Sequence, residues 1–134
     1  MQFRLVQTFI RSLRCDELPM GQDVVDELRY APAFNDQQPR GFAVIFDLKA
    51  PLSPSNQLAL SFLAVFETSE DITEEFRISH FPQVNAPAVA YPYLRAFVSQ
   101  FSVLAGFVPF TLPIRNFTLG KPPVATPSLL TDNP

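Results

Sequence analysis

Residues 85–117 read NAPAVAYPYLRAFVSQFSVLAGFVPFTLPIRNF, and the fold of this 134-residue chain depends on how that stretch is read. Leu94, Phe97, Val98, Phe101, Leu104 and Ala105 recur at spacings of three and four, which predicts an amphipathic helix with these side chains on one face. Pro87 suits a first helical turn, where its missing N–H costs nothing, and Asn85 before it is the expected N-cap. Pro92 removes a donor and is expected to kink the entry. Gly106 is the expected stop, because helices commonly end on a left-handed residue. The segment after it, FVPFTLPIRNF, is stiffened by Pro109 and Pro113 and carries Phe107, Phe110, Leu112, Ile114 and Phe117. It can neither continue a helix nor enter a central strand, so it must lie against the rest of the chain as an apolar loop.

Upstream of this stretch the apolar period is two. Residues 2–13 read as a strand, with Phe3, Leu5 and Phe9 on one face and Val6 and Ile10 on the other. Residues 15–22 form a polar loop, and 23–34 suit either a weak strand or a short helix. A turn over Asn35–Gly41 leads into the clearest strand, 41–49, where Phe42, Val44, Phe46 and Leu48 alternate with Ala43, Ile45 and Asp47. A hairpin at 51–56 precedes a second clear strand, 58–68, with Leu58, Leu60, Phe62 and Phe66 opposite Leu63 and Val65. An acidic link over 69–75 and an irregular segment over 76–84 complete the approach to the helix. After Phe117 the chain has four prolines and no period, which reads as a flexible tail over 118–134 appended to a domain over 1–117.

The resulting fold class is α+β: a four-stranded antiparallel sheet with one long helix packed on one face. A helix of about 20 residues is roughly 30 Å long and covers one sheet face only. Ile45, Leu63, Val65, Val6 and Ile10 make the other face apolar too, so the chain is expected to assemble into an oligomer.

Composition narrows the function classes. Apolar residues make up 47% and the net charge is −3, which argues against disorder and against a nucleic-acid partner. The lone Cys15 fits a reducing, cytoplasmic setting. The first residues, with Arg4, Arg11 and Arg14 spread among apolar ones, do not read as a secretory leader. Residues 96–114 carry no charge, but Ser, Gln, Gly and Pro interrupt them, and no membrane insertion is expected. Chemistry is sparse. His80 and Cys15 are the single members of their kinds, and they show no orienting group between them. Glu67, Glu70, Asp71, Glu74 and Glu75 read as a solvated acidic run without the spacing of a calcium loop. No enzyme activity, metal or cofactor is expected. The aromatics are the distinctive feature, 14 Phe against 4 Gly. Phe107, Phe110 and Phe117 on an irregular segment either lid the sheet or wall a groove.

Three short motifs occur in an order that carries a family resemblance. Tyr91-Pro92-Tyr93-Leu94-Arg95-Ala96-Phe97-Val98-Ser99 resembles the helix opening of the bacterial export chaperone SecB. Leu112-Pro113-Ile114-Arg115-Asn116-Phe117 resembles that family's closing Pro-x-Asn-Phe segment, and Phe62-Leu63-Ala64-Val65-Phe66-Glu67 its last long strand. The resemblance spans roughly residues 58–117. It implies an ATP-independent holdase for unfolded or nascent polypeptides, in protein export or as a toxin–antitoxin chaperone. The family's assembly is a homotetramer, a dimer of dimers. By the same resemblance, Phe62, Tyr91, Phe107, Phe110, Leu112 and Phe117 would bind peptide. Ala64, Phe66, Thr68, Leu94, Phe97 and Phe101 would form the oligomer interface, and the further partner would be a translocase motor or an antitoxin. Two departures bear on the export role: no helical pattern follows Phe117, and Val65 stands where the family has an acidic residue on its motor-docking face. The alternative is a small-molecule-binding or catalytic α+β domain using the aromatic cleft.

Overall fold

The computed structural model describes residues 1–118, and the tail expected over 118–134 lies outside the described residues apart from Thr118. Four strands, β1 (Phe3–Glu17), β2 (Glu27–Phe34), β3 (Gly41–Pro51) and β4 (Asn56–Thr68), are followed by α1 (Glu74–Arg77), a π-helical turn (Phe81–Asn85) and α2 (Ala86–Leu104). The sheet is antiparallel in the order β1-β4-β3-β2. The two strands with the cleanest alternation, β3 and β4, are therefore central, and β1 and β2 are the edges.

Parity places the core. Phe42, Val44, Phe46, Leu48 and Ala50 of β3 and Leu58, Leu60, Phe62, Ala64 and Phe66 of β4 form one buried cluster with Ala86, Ala90, Tyr91, Leu94 and Val98 of α2. The opposite face holds a smaller buried cluster made only of strand residues, Ala31, Ala33, Ala43, Ile45 and Leu63, with Val65 against it. Both sheet faces thus carry buried apolar groups, the property that led to the expectation of self-association.

β1 differs from its sequence reading. It runs on to Glu17, taking in Cys15, and its register against β4 shifts between Leu5 and Gln7 and again between Ile10 and Ser12. Each bulge inserts one residue and reverses which parity faces the core. Ile10 and Leu13 consequently join Phe3 and Leu5 against the main core, while Phe9 is exposed.

Two more differences lie before α2. α1 straddles the acidic link and the segment expected to be irregular, and it is capped by Thr73, whose hydroxyl accepts the Phe76 N–H at 3.1 Å. Asn85 is not an N-cap: it is already helical (φ −68°, ψ −45°) and makes no capping bond, because the π-turn carries the helix back to Phe81. α2 also continues through Pro92, which lies on its exposed side. The ambiguous 23–34 segment is a strand only from Glu27. The residues before it are held by the Gln57 carboxamide, which accepts from the Val25 N–H at 2.6 Å and donates to the Val25 carbonyl at 2.8 Å.

The stop at Gly106 is as expected. Gly106 has φ 96°, its N–H donates to the Val103 carbonyl at 3.0 Å, and the Phe107 N–H donates to the Ser102 carbonyl at 2.8 Å. This is the double bond of a Schellman cap, and it turns the chain back along its own helix.

Candidate functional site

Because the chain reverses at Gly106, the segment 107–117 becomes a strap alongside α2. It contains no helix or strand, so side chains must satisfy its backbone groups. α2 supplies them from one stripe. Ser102 Oγ accepts the Phe110 N–H at 3.0 Å and donates to the Ser99 carbonyl at 2.9 Å. The Ser99 and Thr111 hydroxyls are 3.2 Å apart. Arg95 Nε donates to the Leu112 carbonyl at 2.8 Å, and the Tyr91 hydroxyl donates to the Pro113 carbonyl. Tyr91, Arg95, Ser99 and Ser102 are spaced four, four and three apart, one helix face beside the apolar one.

The strap's apolar side chains divide into two groups. Leu112 and Phe117 are buried. The Phe117 ring packs edge-to-face on Tyr30 at 5.0 Å and on Tyr91 at 5.4 Å. Beneath it the aromatic run continues to Phe46, which touches Tyr30, Tyr91 and Phe62. Phe107 and Phe110 are half-buried against this core. Val108 and Ile114, near opposite ends of the strap, are 80% and 85% exposed, and Leu104 on the last turn of α2 is 85% exposed. With Val103 and Tyr93, also exposed, these residues give α2 and its strap an outer surface that is largely uncharged.

Of the residues expected to bind peptide, the structure gathers Tyr91, Phe107, Phe110, Leu112 and Phe117 around the strap, with Phe62 deep beneath them at 3% exposure. The expected interface set is divided. Ala64, Phe66, Thr68 and Leu94 are enclosed within the chain itself, while Phe97 and Phe101 are half-buried and stacked on each other at 5.8 Å. Alternation alone cannot say which of two apolar sheet faces the helix covers. It covers the one carrying Ala64 and Phe66. Leu104, expected on the buried face of α2, is exposed, and Ser102 is buried in its place. The burial stripe follows Tyr91, Leu94, Val98 and Ser102, and Leu104 lies about 200° around the helix from Ser102. Sequence reasoning missed Arg95, Ser99, Ser102 and Tyr30. The polar stripe at helical spacing was a visible signal, but the path of the loop that it holds was not.

Among the described residues, His80 and Cys15 do not come together beside these aromatics. His80 is exposed beside the π-turn, at the Phe3 end of β1, whereas Cys15 lies near its other end. Twelve residues of strand at about 3.3 Å each put roughly 40 Å between those ends. The acidic run is distributed over exposed ion pairs: Glu67 with Arg4, Glu70 with the N-terminal ammonium, and Asp71 with Arg40. No group of metal-ligating side chains occurs among the described residues. Nor is any described helix long and apolar enough to cross a membrane. A cleft of about 360 Å³ lies on the other sheet face, lined by Ser12, Arg14, Glu27, Arg29, Asp47 and Lys49, away from the aromatics.

The phenols in the strap's seat carry a pH dependence. Burial raises both Tyr30 and Tyr91 above the ordinary value of 10.0, and the nearby Arg115 charge pulls each partly back. The folded chain therefore favours the neutral phenols. Their contribution is fully present below pH 10 and is lost as pH rises past it through the higher folded-state values. A melting series from pH 8 to 11 should show this component as a midpoint that holds and then falls above about pH 10. Tyr91→Phe should reduce that fall.

This sheet order, with one long helix on one face and an apolar return, defines an α+β fold of the SecB-like class. Among solved structures the chain is similar to the Mycobacterium tuberculosis Rv1957 SecB-like chaperone in complex with a ChAD peptide from the Rv1956 HigA1 antitoxin. The identity is 18% and the TM-score 0.61, over 84% of this chain and 90% of that one. It is also similar to a Streptococcus agalactiae protein of unknown function, with 12% identity and a TM-score of 0.57 over 85% and 98% of the two chains. No family model and no curated protein matches the sequence.

Proposed function

We propose that this chain is an ATP-independent, cytoplasmic holdase that captures unfolded polypeptide on the aromatic surface formed by α2 and its strap. The observation that carries this reading is the open, uncharged surface of the strap, where Val108 and Ile114 are exposed and Phe107 and Phe110 half-buried. Aromatic and aliphatic surfaces of this kind take up many apolar sequences without demanding one geometry. The similar Mycobacterium tuberculosis protein was solved with a peptide of an antitoxin. Between export and a toxin–antitoxin role, that supports the second for this chain, with an antitoxin segment as the further partner. Val65 in place of an acidic residue points the same way. The exposed outer face of α2, where Tyr93, Val103 and Leu104 flank Phe97 and Phe101, supports self-association, and the SecB resemblance implies a homotetramer, a dimer of dimers. The domain is residues 1–117.

The test is suppression of aggregation of a chemically denatured test protein without nucleotide. Phe107→Ser combined with Phe110→Ser should weaken suppression at least several-fold. The melting midpoint should change much less than on truncation of a fully buried Phe, which costs about 3–5 kcal/mol. Wild-type chain that leaves aggregation unchanged at a several-fold excess would refute the holdase reading. The alternative, a small-molecule site in an aromatic cleft, has less support: no aromatic residue lines the 360 Å³ cleft, and Phe66 is the one ring at a cleft of about 520 Å³ beside Val6, Arg40 and Val65.

A further inference from the structure

Phe117 completes an aromatic layer, yet it belongs to a segment with no helix or strand of its own. The sheet and α2 keep their own backbone ladders whether or not the strap is present. The polar hold on residues 110–113 consists of the contacts from Ser102, Ser99, Arg95 and Tyr91. Each is a single side-chain hydrogen bond, and losing one changes an opening equilibrium by about fivefold. Beneath the strap, Phe117 sits on Tyr30 and Tyr91, and behind them Phe46 and Phe62 extend the aromatic layer inward. Lifting the strap would open that layer without breaking a strand pairing.

The strap's composition identifies what would replace it. Residues 107–114 are without regular structure, uncharged and largely apolar, with Phe at 107 and 110 and Pro at 109 and 113. That is the chemistry of the unfolded segments the proposed holdase captures. Pro109 and Pro113 restrict the detached strap to few conformations, which favours its return.

We infer that the strap is an intramolecular pseudo-client: Phe117 fills the Tyr30–Tyr91 seat in the resting chain, and an aromatic side chain of an unfolded polypeptide displaces it. This rests on the holdase reading. Client affinity is then lowered by the small fraction of molecules whose strap is open. Weakening the polar hold while the Phe107 and Phe110 surface stays intact should tighten binding, whereas a Phe117 that served as a fixed groove wall or as ordinary core would lose binding when removed.

The experiment measures binding of a fluorescently labelled disordered polypeptide, Phe residues spaced in a Gly/Ser/Thr background, to the full chain. A control polypeptide has every Phe replaced by Ser. Arg95→Met keeps the aliphatic stem but loses the bond to the Leu112 carbonyl, and should tighten binding about fivefold. Hydrogen exchange at the Phe110 amide should accelerate by a similar factor in the same variant. Phe117→Ala should tighten binding at least as much, and the control polypeptide should gain nothing in either variant. Unchanged or weaker binding by Arg95→Met, with the Phe110 amide exchanging faster, overturns the inference while wild-type binding leaves the holdase reading standing. Wild type and both variants failing to bind the Phe-containing polypeptide overturns both.

Discussion

Phe66→Asp is expected to leave no folded chain. Phe66 is 1% exposed in the middle of the main core, stacked on Phe42 at 5.1 Å and edge-on to Phe3 at 5.6 Å. Removing the ring forfeits about 3–5 kcal/mol. A carboxylate left there without a partner costs several more, or is protonated at a similar penalty. A domain of this size has about 5–15 kcal/mol in total, so the two losses together remove most or all of it. Circular dichroism of the variant at 25 °C should show loss of the β-sheet signal, with the protein recovered from inclusion bodies. Phe66→Leu, which keeps most of the buried volume, should fold with a reduced midpoint. A folded Phe66→Asp that merely fell to a smaller assembly would mean that Phe66 faces another subunit rather than the core of its own chain.

The second large effect concerns association. Tyr93→Lys with Leu104→Lys should convert the assembly to single chains of 15.0 kDa while leaving the fold intact. Both residues are exposed on the outer side of α2, and surface substitutions away from special features usually change stability by no more than about 0.5 kcal/mol. A lysine at position 104 also sits at the helix C-terminus, where a cation is favourable. Buried between subunits, by contrast, two lysines without partners would each carry a desolvation penalty that an ordinary interface cannot absorb. Light scattering at micromolar concentration, with circular dichroism on the same samples, reads both halves. Unchanged mass for the variant, or wild type already at 15.0 kDa, would remove α2 from the interface.

Phe66 and Leu104 separate what local pattern can and cannot say. Both residues belong to segments whose apolar period was plain, yet one is a core residue and the other a surface one. Phe66 shares parity with Leu58, Leu60 and Phe62, which places it on a face but not under the helix. Leu104 fits the spacing of the apolar stripe, yet α2 is rolled so that Ser102 faces inward instead. Ser102 can be buried because its hydroxyl has partners on both sides, the Ser99 carbonyl and the Phe110 N–H. One partner lies across a chain reversal, beyond the reach of any helical window.

From its sequence alone the chain determined the α+β class, the parities of β3 and β4, the long helix, and its stop at Gly106. Each follows from spacing or backbone preference within a few residues: side chains alternate in a strand, recur at 3.6 in a helix, and glycine tolerates positive φ. Tertiary structure alone decided three things. The first was the parity of β1, because a bulge is registered only against a partner strand. The second was the strap's path, because its bonds run from side chains on α2 to carbonyls of a segment that makes no ladder of its own. The third was the covered sheet face, because both faces were apolar and only the docking of α2 distinguished them.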